Sequence, residues 1–174
     1  IVDAINKLRD TASAHRRIML VEVMGRNSGW LAMMSGIAGG AEFVLVPEVK
    51  FDIDTMCEEI KEMYDAGKRY SIIVVAEGAG SAIEIGKAVE EKTGIDTRVS
   101  VLGHIQRGGS PTVRDRVNAS LMGYHAVDLL DKGIYNRVVA LSGGKIVDYD
   151  VNVALSMHKY LDPMEIEVAQ AISI

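Results

Sequence analysis

Cysteine is almost absent: Cys57 stands alone among 174 residues. No internal disulfide can form, which excludes a disulfide-framed scaffold and points to a reducing compartment. Proline occurs only 3 times, so neither a collagen-like repeat nor a proline-rich linker is present. Long apolar runs are missing as well. Stretches such as Ile72–Ala76 are far shorter than the roughly 20 residues needed to span a bilayer. There is no excess of positive charge: 19 basic residues stand against 24 acidic, a net charge of −5, which argues against a general nucleic-acid surface. The chain opens on Ile1 without a basic region leading into an apolar one, so no signal-peptide pattern is visible. Because it does not open on Met, it is expected to begin inside a longer reading frame.

What is present is an ordinary globular balance, 48% hydrophobic and 25% charged, which excludes disorder. The length suits one domain over residues 1–174 with a real core. Short runs rich in Val and Ile read as buried strands: Ile18–Val23, Phe43–Val46, Ser71–Ala76, Arg98–Leu102 and Arg137–Leu141. Amphipathic stretches lie between them. A helix over Val2–Leu8 precedes the first strand. Asn27 is placed to cap a helix through Trp30, Met33, Met34 and Ile37 that Gly39-Gly40 stops. Asp54 is placed to cap a helix with Met56, Ile60 and Met63 on one face. Ser81 to Glu84 reads as a capping box before Ile85 and Val89. A longer helix is expected from Arg114 to Leu130, with Val117, Leu121, Ala126 and Leu129 inward, and a helical tail over 151–174 around Pro163. Five strand–helix alternations predict an α/β three-layer sandwich with a mostly parallel sheet.

In such sheets ligands bind beyond the carboxyl ends of the strands. Those ends carry Met24-Gly25-Arg26, Pro47-Glu48, Glu77-Gly78-Ala79-Gly80, the segment from Gly103 to Pro111, and Ser142-Gly143-Gly144. Arg26, His104 and Arg107 suit a phosphate, since guanidinium matches phosphate oxygens in pairs. Glu77 suits hydroxyls, which donate to carboxylates. Each residue alone reads as an ordinary loop residue, and Gly108-Gly109 as a tight turn. Together at one end of one sheet they predict a sugar-phosphate ligand. Gly78-Ala79-Gly80 is half a dinucleotide fingerprint, but Ile83 occupies the third glycine position, so that reading is set aside. Zinc-ligand spacings are absent, Met33-Met34 reads as core, and Cys57 reads as an inert thiol.

Val21-Glu22-Val23-Met24-Gly25-Arg26, Gly39-Gly40-Ala41-Glu42, Val46-Pro47-Glu48, and the run Leu102-Gly103-His104-Ile105-Gln106-Arg107-Gly108-Gly109-Ser110-Pro111 followed by Asp115-Arg116 resemble the carboxyl-terminal half of bacterial-type 6-phosphofructokinases. The resemblance runs from about Ile1 to Val153. It implies a Rossmann-like fold and a cytoplasmic enzyme of glycolysis that phosphorylates fructose 6-phosphate with ATP and Mg2+, with pyrophosphate as the other donor used in the family. It also implies a homotetramer. Met24 and Gly25 would line the sugar pocket, and Arg26 would stand by the transferring phosphoryl group. Glu77 would bind sugar hydroxyls, and His104 and Arg107 the sugar and its 6-phosphate. Arg17 and Arg98 would reach the 6-phosphate in a neighbouring subunit. Arg9, Glu42 and Lys68 match an effector site for a magnesium-bound nucleotide, where Ala66 and Tyr70 replace the arginine and histidine of some members. The segment Ala79–Lys87 also departs from the family. The family's Gly-Gly-Asp-Gly phosphate loop and Thr-Ile-Asp-Asn-Asp segment do not occur here. No catalytic magnesium site is therefore expected in this chain, and the isolated chain is expected to be inactive. A standalone sugar-phosphate-binding module is the alternative. No nucleic-acid or membrane partner is expected.

Overall fold

The computed structural model describes residues 1–172. They form two compact units, residues 1–108 with the tail from Tyr160, and Gly109–Lys159. Within the first unit the chain runs α1 (Val2–His15), β1 (Ile18–Val23), α2 (Trp30–Gly39), β2 (Phe43–Leu45), α3 (Ile53–Asp65), β3 (Ser71–Ala76), α4 (Ala82–Thr93) and β4 (Thr97–Val101). A 3₁₀ turn over Gly103–Arg107 follows β4. The second unit holds α5 (Val113–Asp131), β5 (Arg137–Ser142), β6 (Lys145–Asp150) and α6 (Val151–Ser156), and the tail returns α7 (Pro163–Ala171) to the first.

The four strands of the first unit are parallel, in the order β2-β3-β1-β4. All six residues of β3 are buried, as a strand covered on both faces requires. Right-handed crossovers decide which helix covers which face. The chain moves one way along the sheet from β1 to β2, then back from β2 through β3 to β4. Accordingly α2 packs with α1 and α7 on one face, around Ile5, Met19, Val21, Met33 and Val74. The helices α3 and α4 pack on the other, around Leu20, Ile73, Val75, Ile60 and Val89. The three-layer, mostly parallel architecture read from the sequence is therefore the one observed. Met33 lies in the core, and Cys57 is buried there as a free thiol whose pKa burial pushes up. Among the described residues no helix is long and apolar enough to cross a membrane.

Several local expectations differ. The run Arg137–Leu141 does not extend the parallel sheet; β5 pairs antiparallel with β6 through Gly143-Gly144. Both glycines have positive φ, 57° and 78°, as a two-residue hairpin turn of matching twist demands. The first helix runs on to His15. The α2 helix starts after Gly29 rather than at Asn27, because both carboxylate oxygens of Glu48 accept from the Gly29 amide (2.9 and 3.0 Å). Asp52, not Asp54, caps α3 by accepting from the Thr55 amide at 2.8 Å. Asp54 instead pairs with Lys92 at 2.5 Å. Ser81 caps α4 as expected. On α5, Leu129 is buried, but Val117 and Leu121 are exposed. They belong to an exposed apolar stripe at three- and four-residue spacing, with Val113, Tyr124 and Val127.

Candidate functional site

Neighbouring strands β1 and β3 send their outgoing chains to opposite faces, β1 into α2 and β3 into α4. In open α/β sheets such a divergence is the switch point at whose carboxyl ends a ligand crevice is expected. Met24-Gly25-Arg26 leaves β1 there and Glu77-Gly78 leaves β3. On the other side of β1, β4 delivers the 3₁₀ turn carrying His104 and Arg107. The structure thus places Met24, Gly25, Arg26, Glu77, His104 and Arg107 on three adjacent strand ends.

Hydrogen bonds stitch these ends together. The Glu77 amide donates to the Val23 carbonyl (2.9 Å) and the Gly78 amide to the Gly25 carbonyl (3.2 Å). The Gly25 amide donates to Glu77 Oε1 at 3.3 Å. Gln106 holds the other side: its Oε1 accepts from the Met24 amide (3.2 Å) and its Nε2 donates to the Gly103 carbonyl (2.9 Å). Beneath them Glu22, on β1, accepts the first amide of α4 from Ala82 at 2.8 Å, a carboxylate where the helix N-terminus favours one. The loops approach so closely that a Cβ on Gly78 would lie 2.0 Å from the Arg26 carbonyl oxygen. Gly25 has φ +152°, and a Cβ there would meet the Ser28 carbonyl oxygen at 2.5 Å.

The charged side chains are presented outward. Arg26, Glu77, His104 and Arg107 are all exposed. Among the described residues none of the three basic groups makes an ion pair. Glu77 has one oxygen on the Gly25 amide and the other unengaged. Such a rim can receive a phosphate on its cations and a hydroxyl on its carboxylate.

Arg17 and Arg98 sit at the opposite, amino-terminal end of the sheet. Both engage Asp96: Arg17 through Nε, and Arg98 through Nη2 at 2.8 Å. Arg9, Glu42 and Lys68 gather beside α1 and the start of β2. Buried Glu42 pairs with Lys68 at 3.0 Å and accepts from the Ile72 amide at 2.5 Å. Arg9 donates to the Gly40 carbonyl at 3.2 Å. Burial, with the charge of Glu42 adding to it, pushes the Tyr64 hydroxyl up to about 12. Ala66 ends α3 and is exposed, and Tyr70 packs against the core of the α1 face. A groove of about 520 Å³ runs along β2 between Phe51 and Met56 on one side and Ile166 and Ala169 on the other. Glu42 lines it, and none of Arg26, Glu77, His104 and Arg107 does.

Sequence reasoning passed over Gln106, Glu22 and Asp96. Each bonds to a partner 60 or more positions away, and no local spacing carries that information.

A family model described as Phosphofructokinase matches residues 1–130. An ATP-dependent 6-phosphofructokinase of Clostridium tetani is 52% identical over 173 residues, covering 99% of this chain and 54% of the relative. One of Bacillus velezensis is 48% identical over 174 residues, covering 100% and 54%. The chain spans about half the length of the curated relatives it matches. Among solved structures, phosphofructokinase from Saccharomyces cerevisiae superposes with a TM-score of 0.81 at 34% identity, over 98% of this chain and 23% of that one. A pyrophosphate-dependent phosphofructokinase from Marinobacter aquaeolei shares the fold, with a TM-score of 0.77 at 20% identity over 99% and 52%.

Proposed function

The chain belongs to the phosphofructokinase family, and on that premise we propose that residues 1–174 are the fructose 6-phosphate-binding half of a longer two-domain ATP-dependent 6-phosphofructokinase, a cytoplasmic enzyme of glycolysis. The observation that carries this reading is the placement of Arg26, His104, Arg107 and Glu77 at the ends of β1, β3 and β4, with the three basic groups free of ion pairs among the described residues.

Each residue has a role that its placement supports. Met24 and Gly25 form the floor of the sugar pocket, held by Gln106 and Glu77. His104 and Arg107, on one short turn, bind the sugar and its 6-phosphate. Glu77 accepts from a sugar hydroxyl through the oxygen that Gly25 leaves unused. Arg26, across the crevice, stands by the transferring phosphoryl group, where its charge stabilises the transition state. ATP and Mg2+ supply the phosphoryl group and its neutralisation when the complete enzyme binds them. Among the described residues no group of three His, Cys, Asp or Glu side chains is arranged to hold a metal ion. Because the Gly-Gly-Asp-Gly loop and the Thr-Ile-Asp-Asn-Asp segment do not occur in this chain, we assign the donor nucleotide and its metal to the remainder of the enzyme and expect the isolated chain to lack phosphotransferase activity.

Arg17 and Arg98 lie a strand's length, about 20 Å, from Met24. A sugar phosphate in the local crevice cannot touch them, so we assign them to the substrate of a neighbouring copy in a homo-oligomer. The ion-paired Glu42–Lys68 cluster with Arg9 is assigned to a nucleotide effector.

Calorimetric titration of fructose 6-phosphate onto residues 1–174 tests the reading. Saturable binding that Arg107→Ala weakens at least tenfold, as loss of a charge-assisted contact of about 1.5–3 kcal/mol requires, is the expected result. Binding that is absent, or indifferent to Arg107→Ala and His104→Ala, would overturn it. Turnover by the isolated chain with ATP and Mg2+ would instead show a self-sufficient kinase.

A further inference from the structure

The amino-terminal edge of the sheet holds a second organised charge cluster. In the β1–β4 register Ile18 pairs with Thr97 and Met19 with Arg98, and the Ile18 amide donates to the Asp96 carbonyl at 3.0 Å. Arg17 and Asp96 therefore stand side by side at the strand starts, with Arg98 two residues further on. The Asp96 carboxylate divides its oxygens: Oδ2 takes Arg17 Nε, and Oδ1 takes Arg98 Nη2 at 2.8 Å. Arg98 also donates from Nη1 to the Thr97 carbonyl at 3.2 Å, which fixes the plane of its guanidinium. Arg17 is gripped only along its flank. Among the described residues both its terminal nitrogens, the edge that matches a phosphate in a paired fashion, have no partner.

Two guanidinium groups this close repel one another, and two long arginines left free lose much rotamer entropy when a ligand orders them. A carboxylate between them offsets the repulsion and orders both beforehand, while the cluster keeps a net positive charge. The Arg17 and Asp96 side chains are 29% and 36% exposed and that of Arg98 is 54% exposed, so Arg17 is the more sheltered of the two arginines.

We propose that Asp96 is a positioning residue for the substrate phosphate: it aligns Arg17 and Arg98 so that both meet the 6-phosphate held by a neighbouring copy. The proposal rests on the shared-site reading above. Asp96 touches no substrate; it acts through the two arginines.

The test compares Asp96→Ala and Asp96→Asn with Arg17→Ala and Arg98→Ala in the complete enzyme. Asp96→Ala should raise KM for fructose 6-phosphate about tenfold and leave kcat within about twofold, the signature of lost uniform binding. Asp96→Asn keeps one acceptor oxygen and should fall between. In the Arg17→Ala/Arg98→Ala background, Asp96→Ala should add nothing, since its partners are gone. If the arginine variants raise KM while Asp96→Ala leaves it unchanged or lower, the positioning role is refuted and the shared site stands. The same holds if Asp96→Ala keeps its full effect without the arginines. If Arg17→Ala and Arg98→Ala both leave KM unchanged, the shared site itself is wrong and Asp96 has no such role.

Discussion

Replacing Gly78 by alanine should damage both stability and binding, against the usual direction for an exposed glycine. Gly78 is exposed and has no positive φ, the setting in which Gly→Ala ordinarily stabilises by about 0.4–1 kcal/mol through the unfolded chain. Here the new Cβ would stand 2.0 Å from the Arg26 carbonyl oxygen, 2.7 Å from its carbon and 2.8 Å from the Gly25 carbonyl oxygen. All three are backbone atoms, with no side-chain rotation to relieve them. Ordinary contact begins near 3.4 Å, so the loops after β1 and β3 must part by more than an ångström. Overpacking of this kind costs about 1–3 kcal/mol, and a contact as short as 2.0 Å belongs in the upper part of that range, which leaves a net loss of about 1–2 kcal/mol after the entropic gain. For a chain of this size that lowers Tm by roughly 2–8 °C. The same displacement carries Arg26 and Gly25 away from Glu77, and misplacement by about 1 Å can cost up to 10²-fold in turnover. Thermal melts of residues 1–174 and steady-state kinetics of the complete enzyme read the two effects. A variant that melts with the parent and turns over normally would refute the close-approach argument.

In the complete enzyme, Arg107→Ala and His104→Ala should chiefly raise KM for fructose 6-phosphate, while Arg26→Ala should chiefly lower kcat, since only Arg26 acts where charge develops; steady-state kinetics giving the reverse split would refute the role assignment. Gly123, inside α5, has open space around its Cβ position and no positive φ, so Gly123→Ala should stabilise residues 1–174 by about 0.8–1 kcal/mol in urea unfolding. The raised pKa of Tyr64 predicts loss of stability at high pH: the fold holds the proton that the unfolded chain releases, so stability falls as pH climbs from 10.0 to about 12. A tyrosinate absorbance step near pH 12 should vanish in Tyr64→Phe.

The parallel strands were legible because β1 is apolar but for Glu22 and β3 is apolar after Ser71, and a parallel strand buried on both faces leaves that signature. Once their ends were located, the strand-end rule was enough to pick out Arg26, Glu77, His104 and Arg107. The hairpin was not read, although Gly143-Gly144 followed by the alternating run Lys145–Asp150 carries its signal; the preceding parallel rhythm pulled Arg137–Leu141 into the wrong sheet. Val117 and Leu121 read as inward in the sequence and are exposed in the structure, because an apolar stripe marks a face to be covered but does not say by what. Asp96 and Gln106 were invisible for a different reason. Their work is to join strands neighbouring in space and distant in sequence, and the register that brings them together belongs to the sheet as a whole.

The strand β1 has Arg17 at one end and Met24 at the other, so on the shared-site reading each chain lends a charge that it cannot use itself. Ownership of the site is then divided, and damage to lender and borrower is separable. Mix chains carrying Arg17→Ala with chains carrying Arg107→Ala, and each two-fold pair of unlike chains contains one pocket with both defects and one with neither. Two proteins each weakened in substrate binding, combined, would restore an intact site that neither could form alone.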